Sequence, residues 1–514
     1  MILKPRLRDI QAMAWGVGRL ILGVGLLMIV PLVVSLVCAE WNTALDFMVG
    51  FLCCFSTWLF TESLCPRPED VTWFQGMVIT SGGWLLATVL GAIPHWLSGH
   101  FHSFLDAIFD VMSGYTTTGL FLLQDLDHLS HGMNTWRHLL SYAGGQGIVV
   151  IALTFLFAGS AGALRIYVAE GKEEKLLPNV VNTAKAIWMI SLTYMALGVT
   201  ALFAILLREG MSPGRGFLHS MWLFMGAWST GGFAPQSLNL LYYHSLPVEI
   251  ATLLFFVLGS LNFALHYEVW KGRRMEILRN VETRSFSFTL LFTFLVMCVG
   301  LWGTGLYQDM GSLFRKGFYQ LVSAHTTTGN CNIFSISFHK DFGFAAMMAV
   351  IAAMAVGASA CSTGGGFKGI RMGILYRALR LEIRSILSPE SAVVREKFHH
   401  LRDIWLEETM VRGVLFILAC YGMTYFLGGL LGTLYGYPPH VALFDSVSAG
   451  SNTGLSAGLV GPSMPWALKV YYILAMWAGR LEFVSVFALL GMTAAFFKGK
   501  NSGEGKIKGK GRRK

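Results

Sequence analysis

The sequence predicts an all-α polytopic membrane protein, and three observations support this fold class. Charged residues make up 13% of the 514 residues, about half the share of a typical soluble domain. Hydrophobic residues make up 54%, and uncharged stretches recur from residue 20 to residue 497. Most of these stretches are long enough to cross a bilayer as a helix. The third observation is a short Thr-Gly pattern that occurs four times between them. A water-soluble protein of this size needs more charge on its surface, so that class is excluded.

The N-terminus is predicted to be the first membrane span rather than a cleaved signal peptide. Lys4, Arg6 and Arg8 form a basic start, and 20 uncharged residues separate Arg19 from Glu40. A signal peptide has a shorter apolar core. Basic segments at 165–185, 268–284 and 368–412 and at the C-terminus are expected in the cytoplasm, because Lys and Arg crowd the cytoplasmic flanks of spans. Both termini are therefore predicted to be cytoplasmic.

The net charge of +10 is concentrated in the C-terminal tail. Lys498–Lys514 contains eight basic residues and one acid, Glu504. We expect this tail to lie on the anionic inner leaflet, where each basic residue contributes about 1 kcal/mol. Nucleic acid is not expected as a partner, because basic flanks are usual in membrane proteins. The eight cysteines lie mostly in apolar runs without metal-ligand spacing, so neither a disulfide framework nor a zinc site is predicted.

Four loops share the repeated pattern. They read Gly-Tyr-Thr-Thr-Thr-Gly-Leu (114–120), Ala-Trp-Ser-Thr-Gly-Gly-Phe (227–233), Ala-His-Thr-Thr-Thr-Gly-Asn (324–330) and Gly-Ser-Asn-Thr-Gly-Leu-Ser (450–456). The residue five positions before each aligned glycine is small, namely Gly114, Gly226, Ala324 and Ala449. Aspartate lies nine positions before two of the glycines, at Asp110 and Asp445. Repeats with this similarity indicate four copies of one structural unit.

A short helix followed by a glycine-containing loop, repeated four times, can surround one axis. Irregular backbone at membrane depth is tolerated only inside protein or along a water-filled cavity. Backbone carbonyls in such loops replace the hydration shell of a cation, and the C-terminal ends of the short helices also favour a cation. The predicted potassium-binding residues are Thr117, Thr118, Gly119, Ser229, Thr230, Gly231, Thr327, Thr328, Gly329, Asn452, Thr453 and Gly454. The alternative is that these glycines are packing contacts between helices.

Two further features accompany the loops. Asp110 and Asp445 are predicted either to support the filter or to be solvated acids at helix ends. Residues 357–369 interrupt an apolar span, and three consecutive glycines there cost about 1 kcal/mol each in a helix. This run predicts a flexible segment below the filter, with tight helix packing as the alternative. Its candidate residues are Gly357, Ser359, Ser362, Thr363, Gly364, Gly365 and Gly366.

Arg480 lies within the last apolar run. If that helix begins near Trp466, Arg480 is about 21 Å along it. A charge at that depth is costly and usually functional. Facing the axis, Arg480 is predicted to be an electrostatic barrier; a structural ion pair is the alternative.

The pattern divides the chain into six parts. They are an N-terminal helix pair (1–70), four pore repeats (71–165, 166–284, 285–408 and 409–497) and a basic cytoplasmic tail (498–514). An enzyme is not predicted, because the 14 histidines are scattered and no convergent set of acids, bases or metal ligands is visible.

These motifs resemble those of the Trk/Ktr/HKT potassium-transporter superfamily. Matching motifs besides the loops are Gly-Gly-Gln-Gly-Ile-Val-Val (144–150), Asn-Phe-Ala-Leu-His-Tyr (262–267) and Ser-Thr-Gly-Gly-Gly-Phe-Lys (362–368). The extra N-terminal helix pair is similar to that of the TrkH branch. The resemblance covers residues from about 70 to 497.

The resemblance implies a pseudo-fourfold pore within one chain, with two chains forming a homodimer. It implies that 357–367 is an intramembrane gate, that Arg480 lies near it, and that Gly119 favours potassium over sodium. It also implies a cytosolic TrkA-like regulatory subunit that binds NAD, ATP or ADP, so no cofactor is expected in this chain. Asn452 departs from the threonine pattern and predicts a less symmetric filter.

The predicted function is potassium uptake across the bacterial inner membrane. A sodium- or proton-coupled symporter is the alternative. Few ionisable residues lie in the spans to form a proton relay, which favours conduction down the electrochemical gradient.

Overall fold

The computed structural model describes residues 6–123, 125–147, 180–307 and 309–500. Its described part is almost entirely helical, and the predicted all-α polytopic fold is confirmed. Two long helices, α1 (Leu7–Val37) and α2 (Trp41–Leu64), open the chain and pack against each other. An ion pair of 2.7 Å between Arg19 and Glu62 joins them.

Four units of an outer helix, a short helix, a loop and an inner helix follow. The first contains α3 (Trp73–Leu97), α4 (Phe104–Tyr115) and α5 (His131–Gln146). The second contains α6 (Val180–Arg208), α7 (Pro213–Trp228), a 3-10 turn (Asn239–Tyr243), α8 (Leu246–Gly259) and α9 (Phe263–Trp270). A short helix, α10 (Glu276–Arg279), leads to the third unit.

The inner segments of the third and fourth units each consist of two helices. The third contains α11 (Val281–Thr304), α12 (Met310–Ser312), a π-helical segment (Leu313–Phe318), α13 (Tyr319–His325), α14 (Ser337–Lys340), α15 (Gly343–Val356) and α16 (Gly369–Leu387). The fourth contains α17 (Glu408–Leu434), α18 (Pro439–Gly450), α19 (Trp466–Arg480) and α20 (Val484–Lys500).

The short helical segment of each unit, which in the third unit runs from α12 through the π-helical turns to α13, begins beside a residue that favours a helix start. The Ser103 side chain caps α4 by accepting from the Asp106 amide, and Asp309 accepts from the Ser312 amide. Proline is the first residue of α7 and of α18, where its missing N–H costs nothing. Each of these helical segments ends at the loop of its unit, and the side of the bundle at which they begin is called the outer end.

Several helices are suited to crossing a membrane. Among the described residues, six helices are long and apolar enough to do so, and two bent pairs also qualify. The bends are 97° between α8 and α9 and 116° between α19 and α20. The protein is thus a multi-pass membrane protein.

A small β-hairpin lies in the charged segment between the third and fourth units. Strands β1 (Lys397–His400) and β2 (Arg402–Trp405) pair in antiparallel register, with Phe398 opposite Ile404. Glu396, just before β1, forms ion pairs with Arg377 and Arg384 of α16 at 2.7 and 2.9 Å. The sequence analysis did not predict this hairpin.

Some predicted features lie outside the described residues. They are residues 148–150 of the first inner-helix motif, most of the charged segment 165–185, residues 1–5 and the tail beyond residue 500.

Candidate functional site

Each short helix ends in a loop of the same geometry. The loops are residues 116–119, 229–232, 326–329 and 451–454. In each, the third amide donates to the carbonyl five residues earlier, as in Thr118 to Ser113 at 2.8 Å and Gly231 to Gly226 at 2.9 Å. The same bond joins Thr328 to Ser323 and Thr453 to Ser448. The four loops are therefore equivalent residue by residue.

Two positions in each loop have left-handed backbone. At the second position φ is +55° for Thr117, +49° for Thr230, +55° for Thr327 and +58° for Asn452. At the fourth position φ is +86° for Gly119, +63° for Gly232, +83° for Gly329 and +91° for Gly454. Glycine adopts such angles without the steric cost that other residues meet.

The second loop corrects the sequence alignment by one residue. Aligning the Thr-Gly dipeptides made Gly231 the partner of Gly119, whereas the structure makes Gly232 that partner. Gly231 occupies the position of Thr118. The sequence signal was present, because Ser229 and Thr230 align with Thr116 and Thr117 when both glycines are considered. Gly232 is thus a loop residue that the sequence analysis missed.

The four fourth-position glycines close a ring. A β-carbon at Gly119 would collide with the carbonyl oxygen of Gly231, and one at Gly232 with that of Thr328. A β-carbon at Gly329 would collide with the carbonyl oxygen of Thr453 in the fourth loop. A β-carbon at Gly454 would collide with the carbonyl oxygen of Thr118 in the first loop. Each loop thus contacts the next, and the fourth contacts the first. We call this arrangement the four-loop ring.

Hydroxyl groups fix the loops from within. Thr116 and Thr118 share a hydrogen bond of 2.8 Å, as do Thr326 and Thr328 in the third loop. The second loop has no hydroxyl at Gly231, and Ser229 instead pairs with Ser141 of α5 at 2.9 Å. The second loop therefore depends on the neighbouring inner helix for this contact.

Asp110 lies on α4 and is completely buried. Arg137 of α5 donates to both of its oxygens at 3.0 and 3.2 Å, and His95 of α3 lies 3.1 Å away. Asp110 is therefore not a solvated helix-end acid; it joins the first short helix to both neighbouring long helices.

Asp445 has a different set of partners. It is also completely buried, and it accepts from the Ser456 hydroxyl at 2.8 Å and the Ala457 amide at 2.6 Å. The Leu459 and Val460 amides also donate to it. Asp445 thus holds the chain that leaves the fourth loop against the helix that enters it.

Gln320 occupies the corresponding position in the third unit. Its amide donates to Asn332, which follows the third loop, at 2.6 Å. The sequence analysis missed Gln320, although it also lies nine residues before the loop glycine, Gly329.

The glycine-rich run breaks the third inner helix as predicted, between Val356 and Gly369. Residues 357–368, which we call the crossing segment, contact the first or second position of each of the four loops. The Thr363 hydroxyl lies 3.1 Å from the Thr230 hydroxyl. The Thr117 hydroxyl donates to the Thr363 carbonyl at 3.4 Å. The Gly365 amide donates to Thr327 at 2.8 Å, and a β-carbon on Gly365 would meet the fourth loop at Ser451. The segment therefore crosses the axis of the four-loop ring.

Arg480 is the last residue of α19 rather than a residue within a continuous span. It donates to the Thr363 carbonyl at 2.7 Å and to the Gly144 carbonyl of α5 at 2.6 Å. The break that follows has left-handed backbone at Glu482 and Phe483. Arg480 thus ties the crossing segment to two inner helices.

Two carboxylates that the sequence analysis missed anchor the crossing segment on either side. Glu282 of α11 accepts from the Ala360 amide at 2.6 Å. Glu482 pairs with Lys368 at 2.6 Å and also with Arg371. Sequence gave little signal for either, because both lie near helix ends, where acids are usually solvated.

Comparisons with known proteins agree with this architecture. The family described as TrkH, cation transport protein, matches residues 46–492. An uncharacterized cation transporter of Methanocaldococcus jannaschii is 29% identical over 482 residues, covering 94% of this chain and 95% of the relative. The Trk system potassium uptake protein TrkH of Halomonas elongata is 28% identical over 502 residues, covering 94% and 98%.

Another potassium uptake protein and a solved structure are also similar. The TrkH protein of Escherichia coli K12 is 29% identical over 426 residues, covering 81% of this chain and 84% of the relative. The crystal structure of the potassium transporter TrkH from Vibrio parahaemolyticus has the same fold, with a TM-score of 0.80 and 23% identity over 94% of this chain and 98% of that one. Because the family match spans most of the chain, this protein belongs to the TrkH family of cation transport proteins, which are transporters rather than enzymes.

Proposed function

We propose that this chain takes up potassium ions across the bacterial inner membrane through the four-loop ring. The observation that carries the proposal is the closed circle of glycine contacts, in which Gly119, Gly232, Gly329 and Gly454 each touch the next loop. The names of the Halomonas and Escherichia relatives, both potassium uptake proteins, support the choice of ion.

The chemistry of the ring suits a cation that sheds its water. Backbone carbonyls of the four loops supply oxygen ligands around one axis. Each short helix ends at its loop, so the partly negative C-terminal ends of four helices approach the same place. Asp110 and Asp445 act as filter supports, because their hydrogen bonds hold the short helices in position.

The crossing segment acts as the gate. It contacts the first or second position of each of the four loops, so we expect an ion that passes the ring to meet Thr363 and its neighbouring glycines next. Arg480 holds the gate closed through the Thr363 carbonyl, and its charge adds an electrostatic barrier. Shortening residues 357–367 is expected to raise the flux, and an unchanged flux would count against this role.

Conduction down the electrochemical gradient is favoured over symport. The buried carboxylates Asp110 and Asp445 are engaged by an arginine and by backbone amides respectively. Neither is arranged as a carrier that exchanges protons along the axis. Uptake that persists without a sodium or pH gradient would support conduction, whereas strict dependence on either gradient would support the symporter.

The assembly is proposed to be a homodimer with both termini in the cytoplasm. A cytosolic TrkA-like subunit carries the regulatory nucleotide (NAD, ATP or ADP), and this chain carries no cofactor. The basic tail Lys498–Lys514 binds anionic lipid. Deletion of the tail should weaken membrane association or alter transport, and an unchanged phenotype would remove that part of the proposal.

Growth and rubidium uptake in a bacterial strain that lacks its own potassium uptake systems test the function. The wild-type chain, co-expressed with its cognate cytosolic subunit, should restore growth at low potassium. Gly119→Ser should reduce discrimination between potassium and sodium, because the new side chain meets the Gly231 carbonyl. Failure of the wild-type chain to restore uptake, even with the subunit present, would contradict the proposal.

A further inference from the structure

Two histidines from different units meet at the outer end of the bundle. His339 lies in α14, after the third loop, and His440 is the second residue of α18. Nδ1 of His339 and Nε2 of His440 are 2.9 Å apart. Both side chains are half-buried, so solvent reaches the pair. Nothing in the proposed ion path requires this contact.

Aromatic packing beneath the pair holds the two elements in register. Phe338, next to His339, packs against Phe444 of α18 with tilted rings whose centroids are 5.1 Å apart, and both are fully buried. Phe444 lies four residues after His440, and therefore on the same face of α18. The positions of the two imidazoles are thus set by a rigid contact rather than by flexible loops.

The spacing suits two ligands of one metal ion. Imidazole nitrogens bind first-row transition metals at about 2.0–2.1 Å. Two such nitrogens are about 2.9 Å apart when the bonds meet at a right angle, as in tetragonal copper or nickel sites, and about 3.3 Å apart at a tetrahedral angle. In the structure this distance is a hydrogen bond between the two imidazoles, whose ring centroids are 5.0 Å apart. A metal ion that replaces the shared proton therefore requires the two rings to rotate until both nitrogens point at it.

We infer that His339 and His440 form an external binding site for a divalent transition metal ion, with Cu²⁺, Ni²⁺ and Zn²⁺ as the candidate ions. Among the described residues, no third histidine, cysteine or carboxylate completes a metal-binding group here, so water fills the remaining positions. Imidazole does not select potassium, magnesium or calcium, which prefer oxygen ligands. The site is therefore separate from the path of the transported ion.

A bound ion would link the third and fourth units at the entrance of the ring. α14 follows the third loop, and α18 ends at the fourth loop. A metal bridge between them would restrain relative motion of two of the four loops. We therefore expect external Zn²⁺ to slow transport through this pair of residues.

Direct binding of copper is the test. The full-length protein, purified through a tag without histidine and reconstituted in lipid nanodiscs, is titrated with Cu²⁺ and followed by electron paramagnetic resonance. One tetragonal site with two nitrogen ligands is expected. His339→Gln and His440→Gln should each weaken its affinity by a factor of about ten or more, since even outer-shell changes have effects of this size. His128→Ala removes an exposed histidine paired with Asp125 and is the matched control.

The outcomes are distinct. Loss of the two-nitrogen signal in both glutamine variants, with retention in the control, would support the site, and elution as a folded particle verifies each variant. If the wild type and both glutamine variants bind Cu²⁺ equally, the proposed site is refuted. It is also refuted if the His128→Ala control loses the two-nitrogen signal as much as the glutamine variants do. Zn²⁺ inhibition of rubidium uptake should disappear in the same two variants; inhibition that persists in them would refute the transport effect.

Discussion

Substitution of Gly232 should damage the transporter far more than substitution of its neighbour Gly231. An alanine at Gly232 must adopt φ of +63°, and its β-carbon would collide with the Thr328 carbonyl. Left-handed backbone costs about 1–2 kcal/mol for a residue with a β-carbon, and overpacking costs about 1–3 kcal/mol. Together these terms give about 2–5 kcal/mol against the closed ring, which lowers its population at least about thirtyfold.

Gly231→Ala is the matched comparison. Its β-carbon would meet the hydroxyl of Ser141 and that of Ser229. These are side-chain ends that rotate or can be removed, whereas a backbone carbonyl cannot. We expect a smaller loss of uptake for Gly231→Ala, and partial recovery when Ser141→Ala is added.

Rubidium uptake with sodium competition, normalised to the amount of folded protein in the membrane, measures both variants. Gly232→Ala and Gly119→Ala should both lose potassium selectivity or uptake, and to a similar extent, because each new β-carbon meets a backbone carbonyl of the next loop. Equal effects of Gly231→Ala and Gly232→Ala, or a greater effect at Gly231, would refute the one-residue register of the second loop.

Three further predictions concern the supports of the ring and gate. Asp110→Asn leaves Arg137 charged and buried, which should destabilise the fold by about 3–5 kcal/mol; unchanged thermal unfolding in detergent would contradict this. Arg480→Gln removes the bond to the Thr363 carbonyl and should raise the rubidium flux; an equal or lower flux in folded protein would count against the gate. Although burial raises it, nearby arginines hold the pKa of Glu396 below its usual value. The stabilisation that ionised Glu396 gives the hairpin should therefore be present above about pH 4.5 and be lost as the pH falls through its lowered pKa. Backbone hydrogen exchange of the hairpin should be faster in Glu396→Gln than in the wild type at neutral pH, and equal in the two proteins at strongly acidic pH.

Repetition in the sequence was sufficient to predict the number of loops and their environment. The Thr-Gly dipeptides identify the first, third and fourth loops residue by residue, because Gly119, Gly329 and Gly454 each follow a threonine. The second loop has two consecutive glycines, and the dipeptide rule selects the wrong one. The left-handed backbone of Gly232, rather than of Gly231, decides the register of the second loop. Two adjacent glycines give no indication from residue type alone of which one adopts this conformation.

Long-range contacts were beyond sequence reasoning for a different reason. Glu282 and Glu482 resemble ordinary acids near helix ends, and only the fold brings them to the crossing segment. The break after Arg480 was also missed, because residues 483–497 are uncharged and residues 481–490 contain neither proline nor glycine. Its left-handed residues are held by tertiary packing rather than by local preference.

The position of a bound ion tests the central claim most directly. Crystals of the protein grown with rubidium or thallium in place of potassium should show anomalous density on the axis of the four-loop ring, within coordination distance of its carbonyl oxygens. In Gly232→Ala that density should weaken or vanish. Anomalous density away from the ring, with none on its axis, would contradict the assignment of residues 116–119, 229–232, 326–329 and 451–454 as the ion-selective filter.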